Sequence, residues 1–506
     1  LIFLASALFA LLTVLLSCLR PGRMAAKVSP VEALRYTEGG VKRTVKKSGG
    51  AASLFSMARA NLGRSKAKTA VTVLSMALAV VLLNLTVTFT KGFDMDKYLR
   101  DMPSDFVLAD ASYFGKSLHE RFSRDGTLPQ EIIEQVQAQG GITGGGRIYG
   151  KTSAVQEFVT EDYYRQAYSR WKTAEELDND IRLAQKNEAG LIADTAQLYG
   201  MEAFALDKLT VLEGDISRLY EPGGNYIAAV YGDDDYGAPE MDSHWARLGD
   251  TVTLRYVEEF EYYNPITGEL YGAWENVPEN TPYWSRAVSY RDVNYTVAAL
   301  VMVPNSLNSR YYGNDEFVLN DQTFIRDSQT DSVMLYTFDT ADELSADMEA
   351  FLADYTTNIN PRYDYESKLT YAAEFEGFRS MFLLLGGVLS FIVALVGVLN
   401  FFNAILTGII TRRREFAMLQ SVGMSGRQLK AMLVYEGLLY ALGSGLLALG
   451  LAVVLGPLAG NALEGFFWFF SYSFTAAPAL LLLPVFTLLG ILVPCLLYTS
   501  DAADDR

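Results

Sequence analysis

The chain has 506 residues, half of them hydrophobic, and a formal net charge of −17. So acidic a balance excludes a nucleic-acid binder, which needs a basic face. With only two cysteines and two histidines, it also excludes a disulfide-stapled scaffold and leaves little for a zinc site or a histidine-based triad.

Hydrophobicity is gathered into long uncharged runs, the signature of bilayer crossing. The first is Leu1–Leu19. It has neither an initiator methionine nor a charged flank before it, so the sequence is expected to begin inside a longer protein. Residues 20–68 form a basic linker with twelve Lys or Arg against two acids, Glu32 and Glu38. Within it, Ser29-Pro30 offers a helix start for Val31–Tyr36. A second crossing is predicted over Thr69–Thr90.

Residues 91–379 have another character, with 24 basic and 51 acidic residues, a net of −27, and no cysteine. A segment of this size is able to bury its own core. Pro129–Ala138 reads as an amphipathic helix and Ser153–Tyr163 as extended. Between them, "GGRIYGKT" (Gly145–Thr152) satisfies the phosphate-cradling pattern G-x-x-x-x-G-K-[ST]. That chemistry needs a strand leading in and a helix leading out, and the neighbours have the reverse order. No later apolar run ends in an acid suited to hold magnesium. Gly145, Gly150, Lys151 and Thr152 are therefore assigned to a Gly-rich turn, with no nucleotide or other cofactor and no metal.

Farther on, Asp250–Tyr263, "NPITG" and "ELYGAWENV" read as a long hairpin. "YIAAVYG", "VNYTVAALVMVP" and "SVMLYTF" add strands. Thr340–Asp354 reads as a helix with Thr340 and Glu343 as a capping box. The segment is α+β. It holds 25 of the 30 tyrosines and four of the five tryptophans. Such an acidic, aromatic surface suits a cationic or amphipathic ligand, although strand composition and solubility charge account for it equally.

The apolar runs then resume. Met381–Thr411 is uncharged over 31 residues. Residues 412–433 form a basic amphipathic segment in which Phe416, Met418, Leu419 and Val422 fall at helical spacing. Gly423 interrupts it and Ser425 caps a new helix near Gly426. Crossings follow at 434–463 and 478–494, the latter after a short outer loop. Glu436 lies just inside the crossing at 434–463, and is read as snorkelling to the interface, with pairing to the loop arginines as the alternative. Residues 495–506, "CLLYTSDAADDR", resemble a translated sequencing adapter and are expected to be read-through.

Basic short loops stay in the cytoplasm, while long acidic domains are translocated. Both basic segments are therefore placed inside and residues 91–379 outside, an arrangement that five alternating crossings satisfy. The expected fold class is an α-helical polytopic membrane protein with five transmembrane helices and one large extracytoplasmic α+β domain.

"SLFSMARANLGRSKAKTAVTVLSMALAVVLLNLTVTFTKGFD", "RRREFAMLQSVGMSGRQLKAMLVYEGLLYAL" and "VSPVEALRY" resemble the entry, the cytoplasmic connection and the closing tail of the FtsX-like permease family, relatives of which include the MacB and LolC/LolE types. In this light residues 1–36 close a first repeat and 51–494 form most of a second. The resemblance implies a non-catalytic transporter subunit in a bacterial cell membrane, working with a dimeric ABC-type ATP-binding subunit and acting on a peptide, lipid, lipoprotein or cell-wall target. It implies that Glu415, Met418, Leu419, Val422, Gly423, Met424 and Arg427 contact that subunit. Arg412, Arg413 and Arg414, with Glu436, are placed at the lipid interface. Two other readings fit the same segments, a receptor for cationic antimicrobial peptides that signals to a kinase, and a static anchored binding module.

Overall fold

A computed structural model describes residues 9, 11–15, 17–19, 22–23, 53–64, 66–115, 122–234, 236–309 and 313–504, the side chains of 479 and 493–504 excepted. The chain divides into two compact units, the first comprising residues 1–91, 382–461 and 472–506 and the second residues 92–381 and 462–471.

Six helices matter for the first unit: α1 (Leu54–Arg64), α2 (Lys66–Lys91), α3 (Lys368–Thr411), α4 (Arg413–Ser421), α5 (Gly426–Glu464) and α6 (Ala477–Asp504). Among the described residues α2, α3 and α5 are long and apolar enough to cross a bilayer, and α6 carries a shorter apolar stretch, Leu480–Leu492. Three crossings thus stand by length and apolarity where five were expected. The expected crossing at 1–19 lies largely outside the described residues, as does the linker helix at Val31–Tyr36.

Close packing explains Gly437, Gly445, Gly456 and Gly460 of α5. Gly437 lies against the backbone of Gly490 in α6, and a Cβ on either would collide with the other. Gly460 lies beneath the Tyr472 ring. Such small-residue contacts are what hold helices together where lipid supplies no hydrophobic drive. Asn400 Nδ2 donates to Ser75 Oγ (2.9 Å) as an interhelical link, and Asn84 Nδ2 donates to the Thr475 carbonyl (2.6 Å) just before α6. Two boundaries differ from expectation. From Gly426 the end of the amphipathic segment and the crossing at 434–463 are one continuous helix, and α6 runs past Pro494 to Asp504, so no helix end marks Cys495.

The second unit is α+β. Its strands are β1 (Phe106–Asp110), β2 (Ile142–Lys151), β3 (Val155–Val159), β4 (Ile192–Met201), β5 (Thr210–Gly214), β6 (Tyr226–Val230), β7 (Thr251–Tyr263), β8 (Leu270–Gly272), β9 (Trp284–Met302), β10 (Asp315–Asn320), β11 (Val333–Thr340) and β12 (Tyr363–Ser367). They pair in the order β10-β6-β9-β7-β3-β4-β2-β11-β1-β12. A parallel β10–β4 pairing closes six of them into a ring. Leu254, Tyr256, Tyr295, Val297 and Phe317 belong to its core.

Several expectations are corrected here. The Gly145–Lys151 stretch is not a turn but the body of β2, paired on one side with β11 and on the other with β4. Its glycines make room for neighbours: a Cβ at Gly144 would meet Phe204, at Gly145 the Tyr336 hydroxyl, and at Gly150 the Phe122 ring. Close approach of this kind is the usual reason for glycine inside a strand. Thr152 Oγ1 donates to the Phe122 carbonyl (3.0 Å), and partial burial lowers the Lys151 pKa. No helix follows the motif; β3 does.

In Ser153–Tyr163 the strand ends at Val159 and a helix begins at Glu161, capped by Thr160. The β7–β8 hairpin is short, and the long partner of β7 is the 19-residue β9. Thr340 closes β11 and caps nothing: a 3-10 turn at Asp342–Leu344 precedes the helix Ser345–Asp354, and the Thr340 hydroxyl pairs with Ser345 Oγ (2.8 Å). Of the histidines, His119 lies outside the described residues. His244 is buried, with Nδ1 accepting the Ala246 N–H (3.0 Å), and burial lowers its pKa.

Residues 462–471 pack within the second unit. Phe93 bridges Phe470, the Asp94 N–H donates to the Phe469 carbonyl (3.0 Å), and Trp468 stacks on Tyr98 at 5.8 Å.

One group of acids gives this unit a pH dependence. Burial pushes Asp194 up to about 6 and Glu316 up to about 7, against bonds from Tyr168 and Tyr199 that favour ionisation. Burial and the neighbouring Asp315 drive Glu157 well above the usual range as well. A raised folded-state pKa means that the folded form holds its proton more tightly, so stability is fullest below about pH 4 and is lost as pH rises through 6 and 7. Melting followed by tryptophan fluorescence is expected to be roughly 3–8 °C lower at pH 7.5 than at pH 5.5. Glu316→Gln should shrink that difference; an equal or higher melting point at pH 7.5 would contradict the assignment.

Candidate functional site

The residues expected to meet a partner lie between α3 and α5, and the local sequence explains their shape. α4 ends at Ser421, with Val422 as its C-cap. Gly423 then takes φ +105, a conformation that glycine adopts without strain. The Gly423 N–H donates to the Gln420 carbonyl (3.0 Å) and the Met424 N–H to the Leu419 carbonyl (3.0 Å), a Schellman termination. Two residues later α5 opens with a reciprocal cap: Ser425 Oγ accepts the Gln428 N–H (3.3 Å) and Gln428 Oε1 accepts the Ser425 N–H (2.8 Å). Each helix end thus has its own cap within about four residues. The turn therefore holds its form without help from its surroundings.

What it presents is apolar. Val422 is 87% exposed and Met418 61% exposed, with Arg427 exposed beside them. Leu419 and Met424 are half-buried, and Met424 packs against the core that contains Phe416, Leu429, Met432 and Leu433. Of the seven residues predicted to meet a partner, Met418, Val422 and Arg427 stand outermost, while Gly423 shapes the turn. Glu415 faces sideways, its Oε2 taking the Arg64 guanidinium at 3.0 Å.

Beneath the tip lies a buried ion pair. Glu436 is 7% exposed, and its carboxylate accepts Arg412 Nη1 at 3.1 and 3.2 Å and Asn61 Nδ2 at 2.5 Å. Arg412 also covers the Phe416 ring, at 4.9 Å. Snorkelling is thus corrected: Glu436 turns inward, and Arg412, expected at the headgroups, turns inward to meet it. Arg413 and Arg414 are exposed. Asn61 was not foreseen, because the only signal in the sequence is one polar side chain on the amphipathic helix α1. Through these contacts α1, the end of α3 and α5 share one polar junction.

Residues 387–502 match the family model of the FtsX-like permease C-terminal domain. Among curated proteins no sequence matches the chain. Two solved structures are similar to it at low identity. The periplasmic region of MacB from Actinobacillus actinomycetemcomitans is 11% identical, with 55% of this chain and 95% of that one covered and a TM-score of 0.28. The extracellular domain of the ABC-type transporter YknZ from Gram-positive bacteria is 10% identical, with 48% and 90% covered and a TM-score of 0.23. The segment that carries α4, the turn and α5 is therefore FtsX-like permease C-terminal sequence. That match covers 116 of the 506 residues and is to a permease domain.

The ion pair yields a direct expectation. Arg412→Met would leave a buried carboxylate without its cation and cost about 3–5 kcal/mol. Adding Glu436→Gln should restore most of that loss, as read by melting of the purified chain in detergent. A double variant as unstable as the single one would show that the pair is not coupled.

Proposed function

We propose that this chain is the membrane-embedded, non-catalytic subunit of an ABC-type transport system in a bacterial cell membrane. A separate ATP-binding subunit, acting as a dimer, docks on the turn between α4 and α5. The observation that carries this reading is the exposed apolar tip: Val422 and Met418 stand on a turn closed by a Schellman termination and a reciprocal cap, within the FtsX-like match. A rigid apolar anchor with a basic rim, here Arg413, Arg414 and Arg427, suits insertion into a protein groove.

Sidedness supports the same reading. The basic segments 20–68 and 412–430 belong with the cytoplasm, and the acidic residues 91–379 outside, crossed by five helices in all. ATP hydrolysis in the partner then displaces the tip. α5 begins one residue after Ser425 and continues unbroken to Glu464, where the chain enters the 462–471 loop that packs in the second unit. A displacement at Gly426 is passed along a hydrogen-bonded rod, and the Arg412–Glu436–Asn61 junction moves α1 and α3 with it. The target is a peptide, lipid, lipoprotein or cell-wall component reached by the outer unit.

Co-expression with the ATP-binding subunit and affinity purification tests the docking. Val422→Glu, which removes no core contact, and Leu419→Glu are each expected to lower recovery of that subunit by about tenfold or more. Trp171→Ala, in the second unit, should leave recovery unchanged. Full recovery with both tip variants would contradict the proposal.

A further inference from the structure

The second unit carries an exposed surface that the coupling reading leaves unused. β7 and β9 extend as a two-stranded arm, with β8 added to β7 at its tip. Tyr262, Trp274 and Tyr283 meet there, their ring centroids 5.4, 5.1 and 6.3 Å apart in tilted and edge-on arrangements. Trp274 is 52% and Tyr283 49% exposed, and Ile266 and Leu270 stand out beside them at 79% and 59%. This is a cluster of large apolar side chains, not an isolated exposed residue.

The arm is shaped in advance. Asn264 Oδ1 accepts the N–H groups of Ile266 (2.9 Å) and Thr267 (3.1 Å), and its Nδ2 donates to the Tyr271 hydroxyl (3.0 Å). Gly268 closes the turn at φ +75. The ordering entropy of the tip is thus already met within the fold, which favours tight binding.

Its charge selects the occupant. From Glu258 to Ser285 there are six acids and no Lys or Arg. Among the described residues Glu269, Glu275 and Glu279 form no ion pair, and they flank Leu270 and Trp274 along the chain. A second copy of this chain would bring the same acids and be repelled, as would an anionic lipid surface. Apolar side chains interleaved with Lys or Arg would meet rings and carboxylates together, with the cations also taking the ring faces.

We propose that the tip of the β7–β9 arm binds a short cationic amphipathic peptide. The experiment uses the full chain in phosphatidylcholine nanodiscs, with empty discs subtracted, and a fluorescein-labelled Leu/Lys peptide read by polarisation. A Leu/Glu peptide of equal length is the charge control. The wild type is expected to bind the Leu/Lys peptide and not the Leu/Glu one. Trp274→Ala with Tyr283→Ala, and separately Glu269→Gln, Glu275→Gln and Glu279→Gln together, should each weaken binding by about tenfold. Trp171→Ala with Glu175→Gln and Glu188→Gln, elsewhere on the same unit, should change it less than about twofold.

Amide exchange on the wild type gives a reading that no variant's folding disturbs: bound peptide should protect residues 264–283. Weakening by the Trp171, Glu175 and Glu188 control set equal to that by the arm variants, or protection confined to other residues, overturns the proposal. So does concentration-dependent dimerisation abolished by Trp274→Ala with Tyr283→Ala, which assigns the patch to a second copy. None of these outcomes depends on the ATP-binding subunit.

Discussion

Hydrocarbon tolerates neither an unpaired peptide group nor an unpaired charge, and the rest of this protein follows from that constraint. The long helices α2, α3 and α5 satisfy their own backbones, and charge is expelled to their ends. The acid that does enter α5, Glu436, is accepted because Arg412 and Asn61 neutralise and bond it. The same cost separates twelve basic residues in the 20–68 linker from a net of −27 in residues 91–379.

At the tip between α4 and α5 the opposite condition holds. Water is present on the exposed side, yet Val422 is held out in it by a Schellman turn and a reciprocal Ser425–Gln428 cap that leave the chain little freedom. Exposing a valine so fully without a partner gains nothing for the isolated chain. α5 then spans about 58 Å at 1.5 Å per residue, with Pro457 the one proline inside it. The buried ion pair lies eleven positions beyond Ser425, about three turns into that helix. On the proposed function, this arrangement is stiff where a docked partner would push and polar where neighbouring helices would move together.

The long apolar helices α2, α3 and α5 were legible because uncharged runs sum over tens of residues. Gly423 and Ser425 were readable too, since their roles are set by backbone chemistry within a few positions. The buried junction was not, because local pattern cannot say whether an arginine beside a membrane helix turns toward lipid or toward a carboxylate 24 positions on. In the second unit "GGRIYGKT" misled for a physical reason. Glycine serves equally to wrap a phosphate and to admit Phe204, Tyr336 and Phe122 against a strand, and only the tertiary neighbours distinguish the two. The length of β9 was missed because its first half alternates exposed and half-buried residues with few apolar anchors.

Sidedness is the claim on which the account rests, and cysteine accessibility tests it most directly. In a chain carrying Cys18→Ser and Cys495→Ser, single cysteines are placed at the exposed positions Ser169 and Ser425 and treated with a membrane-impermeant maleimide on intact cells. The account predicts rapid labelling at 169 and labelling at 425 only after permeabilisation. Labelling at 425 in intact cells, with 169 protected until they are opened, would contradict it.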